Sequence, residues 1–205
     1  MKKFFFIATI VLCVTTAFAQ GGLTAQQVLT KAVAVMSNPK GVEARFTVGG
    51  PGYRGSGVIL SLSPKYHVSL PEAEVWYNGK DLYTLNKNTD EATVVYPTAE
   101  ELAESNPLAY VTSAGTNYNV VFSTVKKPGK YVVELTPKKK AVDVKRITLT
   151  LRQNDFVPEK IVIEPKSGNP ITAEISSFKT GVTVKNTEFE YPKAKYPKVE
   201  IIDLR

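Results

Sequence analysis

Cysteine is nearly absent: Cys13 is the only one, and it lies in an apolar stretch at the N-terminus. One cysteine forms no internal disulfide and furnishes no multi-thiolate metal site. Histidine is as scarce, because His67 stands alone. That excludes multi-histidine zinc sites, and a Ser-His-Asp triad would take all its imidazole chemistry from this one residue, with no G-x-S-x-G elbow to support it. Between Tyr66 and Val68, on the alternate side of a strand, His67 is expected to be exposed. After Phe18 no apolar run approaches the ~20 residues of a membrane-spanning helix. Internal repeats and low-complexity segments are also missing.

What the N-terminus does have is Met1-Lys2-Lys3, an apolar run from Phe4 to Phe18, and Ala17-Phe18-Ala19 before Gln20. A basic n-region, a short h-region and an A-x-A site predict a cleaved signal peptide over residues 1–19 and an exported protein, periplasmic in a two-membrane envelope. Leu12 precedes Cys13, where a lipidated cysteine wants a small neighbour, so Cys13 is expected to leave with the signal. The remainder, 20–205, is expected to be one domain, within the size that buries a sizeable core. The formal charge of the whole chain is +7, of which Lys2 and Lys3 supply two. The other lysines are scattered, and Lys138-Lys139-Lys140 reads as a solvated loop. Outside the cytoplasm this charge does not point to nucleic acid.

Thr24-Ala25-Gln26-Gln27 matches a capping box, and Val28, Leu29, Ala32, Val33 and Met36 follow at helical spacing until Asn38-Pro39. The period then changes to two. Val42, Ala44, Phe46 and Val48 alternate with Glu43, Arg45 and Thr47, and similar strands are predicted at 58–62, 66–70, 74–77, 81–85 and 92–96. Asn78-Gly79 predicts a type I′ hairpin. Thr98-Ala99-Glu100-Glu101 and Asn106-Pro107 start two short helices bearing Leu102, Leu108 and Val111. Strands resume near 118–125, 130–136, 145–152, 158–164 and 171–178, and 199–204 is a candidate edge strand. The expected fold is mainly β (α+β): about ten antiparallel strands in a strongly curved sheet, with one long helix and two short ones covering it.

Several features that resemble chemistry carry none. Gly50-Pro51-Gly52-Tyr53-Arg54-Gly55 fits G-x-G-x-x-G, yet a strand follows where the dinucleotide fingerprint needs a helix N-terminus, so a hairpin turn is expected. Glu43, Glu134 and Glu174 are separated and alternate with apolar residues, and nothing points to a paired-carboxylate site. No catalytic residue, metal or cofactor is expected. The informative excess is apolar: Trp76 beside Val75 and Tyr77, Tyr83 beside Leu82, Val94 beside Val95, and Ile161 and Ile163 with Val162. A sheet with one solvated face needs only one such set, so both faces are expected to be partly covered. A filled core and a lined pocket would share this composition.

The order of elements resembles the LolA family of periplasmic lipoprotein carriers. The resemblance rests on the signal peptide, the amphipathic helix, Ala44-Arg45-Phe46-Thr47, a strand closing at Pro64, Asn78-Gly79-Lys80-Asp81-Leu82-Tyr83, Asn106-Pro107-Leu108 and Leu135-Thr136-Pro137-Lys138. It implies an unclosed antiparallel barrel capped by helices, with an apolar cavity that holds acyl chains. It also implies acylated lipoproteins as cargo, an ATP-driven inner-membrane releasing complex as donor, an outer-membrane acceptor, and a monomeric, non-catalytic chaperone. At roughly 0.8 kcal/mol per methylene, one long acyl chain costs on the order of 10 kcal/mol to expose to water. The cavity lining would draw on Phe46, Val48, Leu60, Leu62, Tyr66, Val68, Trp76 and Tyr83, and the lid on Leu102, Leu108 and Val111; alternation leaves open which strand face points inward. Family members often place an arginine before the proline that closes the second strand, where this chain has Ser63. A related protein for another envelope lipid or glycolipid, or a structural envelope domain, fits the same elements.

Overall fold

The structure, a computed structural model, describes residues 22–50, 53–112, 117–139 and 143–205. The predicted signal with Cys13, and the Pro51-Gly52 and Lys140 portions of the readings above, lie outside the described residues. Helix α1 (Ala25–Met36) begins where the sequence says it should. Thr24 and Gln27 cap each other reciprocally, Gln27 N donating to Thr24 Oγ1 at 3.2 Å and Thr24 N to Gln27 Oε1 at 2.9 Å. Strands β1 (Val42–Gly50), β2 (Tyr53–Leu62), β3 (Lys65–Ser69), β4 (Ala73–Tyr77), β5 (Leu82–Asn86) and β6 (Glu91–Val95) follow. Helices α2 (Ala99–Ser105) and α3 (Pro107–Thr112) interrupt them before β7 (Tyr118–Phe122), β8 (Lys130–Pro137), β9 (Val144–Arg152), β10 (Pro158–Pro165) and β11 (Ile171–Thr180). A 3₁₀ turn, Asn186–Phe189, and β12 (Glu200–Asp203) end the chain.

The twelve strands of the described residues form one sheet in the order β12-β6-β5-β4-β3-β2-β1-β11-β10-β9-β8-β7. The first strand sits near the middle, between β2 and β11, so the early and late halves of the chain meet there. The edges, β12 and β7, do not pair with each other, which leaves a curved, unclosed barrel with α2 and α3 on the connection between β6 and β7. Every pairing is antiparallel except that of β12, which runs parallel to β6. The expected curved, unclosed antiparallel sheet is present, with the C-terminal stretch as an edge strand whose pairing is parallel. The Asn78-Gly79 hairpin is present but is not type I′: Gly79 alone takes positive φ, at +98°, and Asn78 Oδ1 accepts from both Lys80 N and Asp81 N. An Asx-type side-chain bond closes a wider turn there.

Alternation divides the sheet into two faces. One carries Ala44, Phe46, Ile59, Tyr66, Val68 and Val75 and continues to Leu149, Ile161 and Ala173, all in one core with Val28, Leu29 and Ala32 of α1 and Leu108 and Val111 of α3. The other carries Trp76, Leu85 and Ala92, against which Tyr191, Tyr196, Val199 and Ile201 pack. Both faces are covered, by different agents: helices on one side, the C-terminal segment on the other.

Candidate functional site

The helix-facing side carries the apolar core on which α1 and α3 pack. Helix α2 starts at a second capping box, Thr98 N donating to Glu101 Oε2 at 2.7 Å and Glu101 N to Thr98 Oγ1 at 3.2 Å. Buried Asn106 then turns the chain into α3, its Oδ1 accepting from Leu108 N at 2.9 Å. Helices this short are marginal alone and depend on what they cover. Leu108 and Val111 are buried against the sheet core, while Leu102 is half-buried at its margin. One hydroxyl pair ties α2 to the sheet. Tyr66 of β3 and Ser105 at the end of α2 lie 2.5 Å apart; because Ser105 donates to Leu102 O at 3.2 Å, Tyr66 is the donor to Ser105. Burial holds the Tyr66 hydroxyl proton up to a pKa of about 12, so the tie does not titrate in the physiological range.

Two spaces flank α3. A cavity of about 270 Å³ lies among Met36, Tyr66, Tyr77, Leu102, Asn106 and Leu108, and Ser61, Ser63 and Pro64 also line it. A smaller apolar gap of about 10 Å³ lies among Ala44, Phe46, Ile59, Leu108, Ile161 and Ala173. Leu108 lines both. The larger space is just below the ~300 Å³ at which small-ligand sites begin, and the smaller holds no more than a water. Gly57 lets the sheet close over this region: a Cβ there would stand 2.7 Å from Ser69 O and 3.1 Å from Phe46 Cζ.

The eight proposed lining residues separate between the two faces. Phe46, Tyr66 and Val68 are buried in the helix-facing core, with Val48 packed at its edge. Leu60, Leu62, Trp76 and Tyr83 belong to the other set: Leu60 is paired with His67, His67 with Trp76, and Trp76 with Tyr83 in neighbouring strands, and Leu62 lies two residues from Leu60. A one-residue offset in a strand reverses the face, and these four therefore point away from α1 and α3. Ser63 is exposed and lines the larger cavity, and Tyr66 supplies the contact to α2. Ile59, Val75, Tyr77 and Leu82 share the helix-facing core and were missed. Strict alternation from Phe46 through its partner Gly57 could have found Ile59, two residues on.

The opposite face holds the one buried carboxylate among the described residues. Glu74 accepts from Tyr196 at 3.0 Å, faces His67 Nε2 at 2.9 Å and pairs with Lys87 at 3.2 Å. Burial raises its pKa, but the bonds from His67, Tyr196 and Lys87 outweigh burial and hold it below the usual carboxylate value. His67 stacks on Trp76 with ring centroids 5.0 Å apart and is half-buried, which corrects the exposed position expected for it: the C-terminal segment covers this end of the face. Glu43, Glu134 and Glu174 each meet a cation, Lys179, Arg146 and Lys160 respectively, instead of one another. Among the described residues no cluster of three or more metal-ligating side chains occurs, and no helix is long and apolar enough to cross a membrane.

A family profile described as outer membrane lipoprotein carrier protein LolA matches residues 15–167. No curated protein matches the chain. Among solved structures, an uncharacterized conserved protein from Thermus thermophilus is 12% identical, with 87% of this chain and 98% of that chain covered at a TM-score of 0.58. It shares the fold. A LolA superfamily protein from Nitrosomonas europaea is 15% identical over 83% of this chain and 99% of that one, with a TM-score of 0.45. A chain of the Pseudomonas aeruginosa MucA/MucB complex is 10% identical over 82% of this chain and 60% of that one, with a TM-score of 0.42.

Proposed function

We propose, from the premise that the chain belongs to the outer membrane lipoprotein carrier protein LolA family, that it is an exported, non-catalytic carrier of acylated lipoproteins. Their acyl chains enter the space between the sheet and α1 and α3. The observation that carries this reading is the place of Leu108, which lines both the 270 Å³ cavity and the apolar gap over Phe46 and Ile59. Moving α3 outward joins the two into one apolar channel bounded by Phe46, Ile59, Tyr66 and Tyr77. The cover suits that movement: α2 and α3 are seven and six residues long, and a hydroxyl pair ties α2 to β3. Closing the lid over an empty site keeps apolar side chains from water, and an acyl chain replaces Leu108 with methylenes worth roughly 0.8 kcal/mol each. In this role the protein receives cargo from the inner-membrane releasing complex and yields it to an outer-membrane acceptor, working as a periplasmic monomer.

Of the residues proposed at sequence level, Phe46, Val48, Tyr66 and Val68 line the channel, and Leu102, Leu108 and Val111 form the lid. Photo-cross-linking tests this assignment. A photoreactive amino acid is placed at Leu108 in one variant and at Tyr83, on the opposite face, in another, and each is mixed with spheroplasts making radiolabelled lipoprotein. Cross-links to acylated lipoprotein from position 108 and none from position 83 are expected. Equal labelling from both positions, or none from 108, would reject the channel.

A further inference from the structure

We propose that the free edge of β7 docks an extended segment of a partner polypeptide by strand addition, and that the segment it fits has alternating apolar residues flanked by acidic ones. Among the described residues strand β7 is an end of the sheet and pairs with β8 alone. The ladder fixes which backbone groups face outward: Ser123 N donates to Val132 O at 2.9 Å and Lys138 N to Asn117 O at 2.9 Å. Odd-numbered residues therefore bond to β8, and the N–H and C=O of Val120 and Phe122 point away from it.

The two edges of the sheet differ in how they are protected. Strand β12 carries Glu200 and Asp203, and Arg205 closes it with bonds to Asp203 and Asp81. Charges of this kind discourage pairing with another chain. Strand β7 has none: from Ser105 to Val125 no residue is charged. Val121 is 56% exposed, Phe122 43% and Val125 60%, which gives an uncharged, β-prone edge with apolar side chains in solvent. Such edges are templates for an added strand.

Charge at the two ends of β7 selects the occupant. Lys126 and Lys127 follow it, and Lys138 and Lys139 lie beside its beginning at the end of β8. These four lysines are exposed and make no ion pair among the described residues, while the nearby acids Glu134 and Glu159 are paired with Arg146 and Lys130. Antiparallel pairing of β7 with a second copy would bring Lys126 and Lys127 of one chain against Lys138 and Lys139 of the other. Like charges at both ends disfavour that dimer and favour a segment with acids at each end.

The test needs no acyl chain, so it stands apart from the lipid reading. The full chain is titrated into a fluorescein-labelled synthetic peptide with a core of alternating valine and threonine, as long as β7, and two glutamates at each end. Anisotropy should show saturable binding, weaker by about tenfold or more for the same peptide with lysines at the ends. Methylating one alternate set of peptide amides should abolish binding, and methylating the other set should not, because only one edge of an added strand faces β7. Val121→Lys, an exposed change, should weaken binding while leaving the unfolding midpoint unchanged. Indifference to which amides are methylated, absence of binding, or a β7-dependent dimer in sedimentation would each overturn the proposal.

Discussion

Glu74 shows how much one side chain can decide on the face away from the helices. Its carboxylate is buried and collects His67, Tyr196 and Lys87, so a residue of β4 anchors both the β5–β6 turn region and the C-terminal segment. Because its folded pKa lies below the unfolded value, the unfolded chain takes up the proton first as pH falls. The stabilisation is therefore full above the ordinary glutamate value of about 4.3 and is lost as pH drops through the lower folded value. Glu74→Gln should lower stability by about 1–3 kcal/mol at neutral pH, the cost of breaking a buried charged hydrogen-bond set. Urea unfolding should also show less change for the variant than for the parent between neutrality and strongly acid pH. Equal pH slopes for the two proteins would remove Glu74 from this role. Nothing in the local pattern marks this residue, since Glu74 sits among strand residues that read as alternate and solvent-facing until Tyr196 is folded over them.

At the scale of elements, helices were the most legible because caps are local. Thr24 with Gln27, and Thr98 with Glu101, are each complete within four residues and start α1 and α2 where the sequence places them. Strands were legible as strands, but not their faces. Periodicity says that Phe46 and Val48 lie together and that Trp76 and Tyr83 are apolar; only register says that these two sets point in opposite directions. The cause is the C-terminal segment, which buries Trp76 on a face that would otherwise be solvated. Phe189, in the 3₁₀ turn of that segment, is fully buried. Phe189→Ala should cost about 3–5 kcal/mol, a typical value for a buried phenylalanine. Trp76, the only tryptophan, should report the loosened segment by a red-shifted emission at denaturant concentrations where the helix-facing core remains intact. A loss below about 1 kcal/mol, outside the usual range for such a truncation, would mean that the segment is not anchored there.

The whole molecule is a curved sheet with a different covering on each side. The C-terminal cover is fixed by a β-strand, aromatic packing and the Glu74 network. The helical cover includes two short helices with a hydroxyl tie, and Leu108 of α3 lines two spaces beneath it. The general outline, a helix-capped open β-barrel, was legible from the order of elements, whereas the apolar gap under α3 depended on long-range contacts between Leu108 and strands more than 40 residues away in sequence. Carriage is tested most directly by release: a protein of residues 20–205 is incubated with spheroplasts of its source organism, and the soluble fraction is examined by native mass spectrometry. Lipoprotein carriage predicts a soluble complex whose added mass is that of an intact acylated lipoprotein, together with loss of that complex when Leu108 is replaced by glutamate in a variant shown to remain folded. Recovery of the protein without lipoprotein from spheroplasts that release cargo to a known carrier would contradict it.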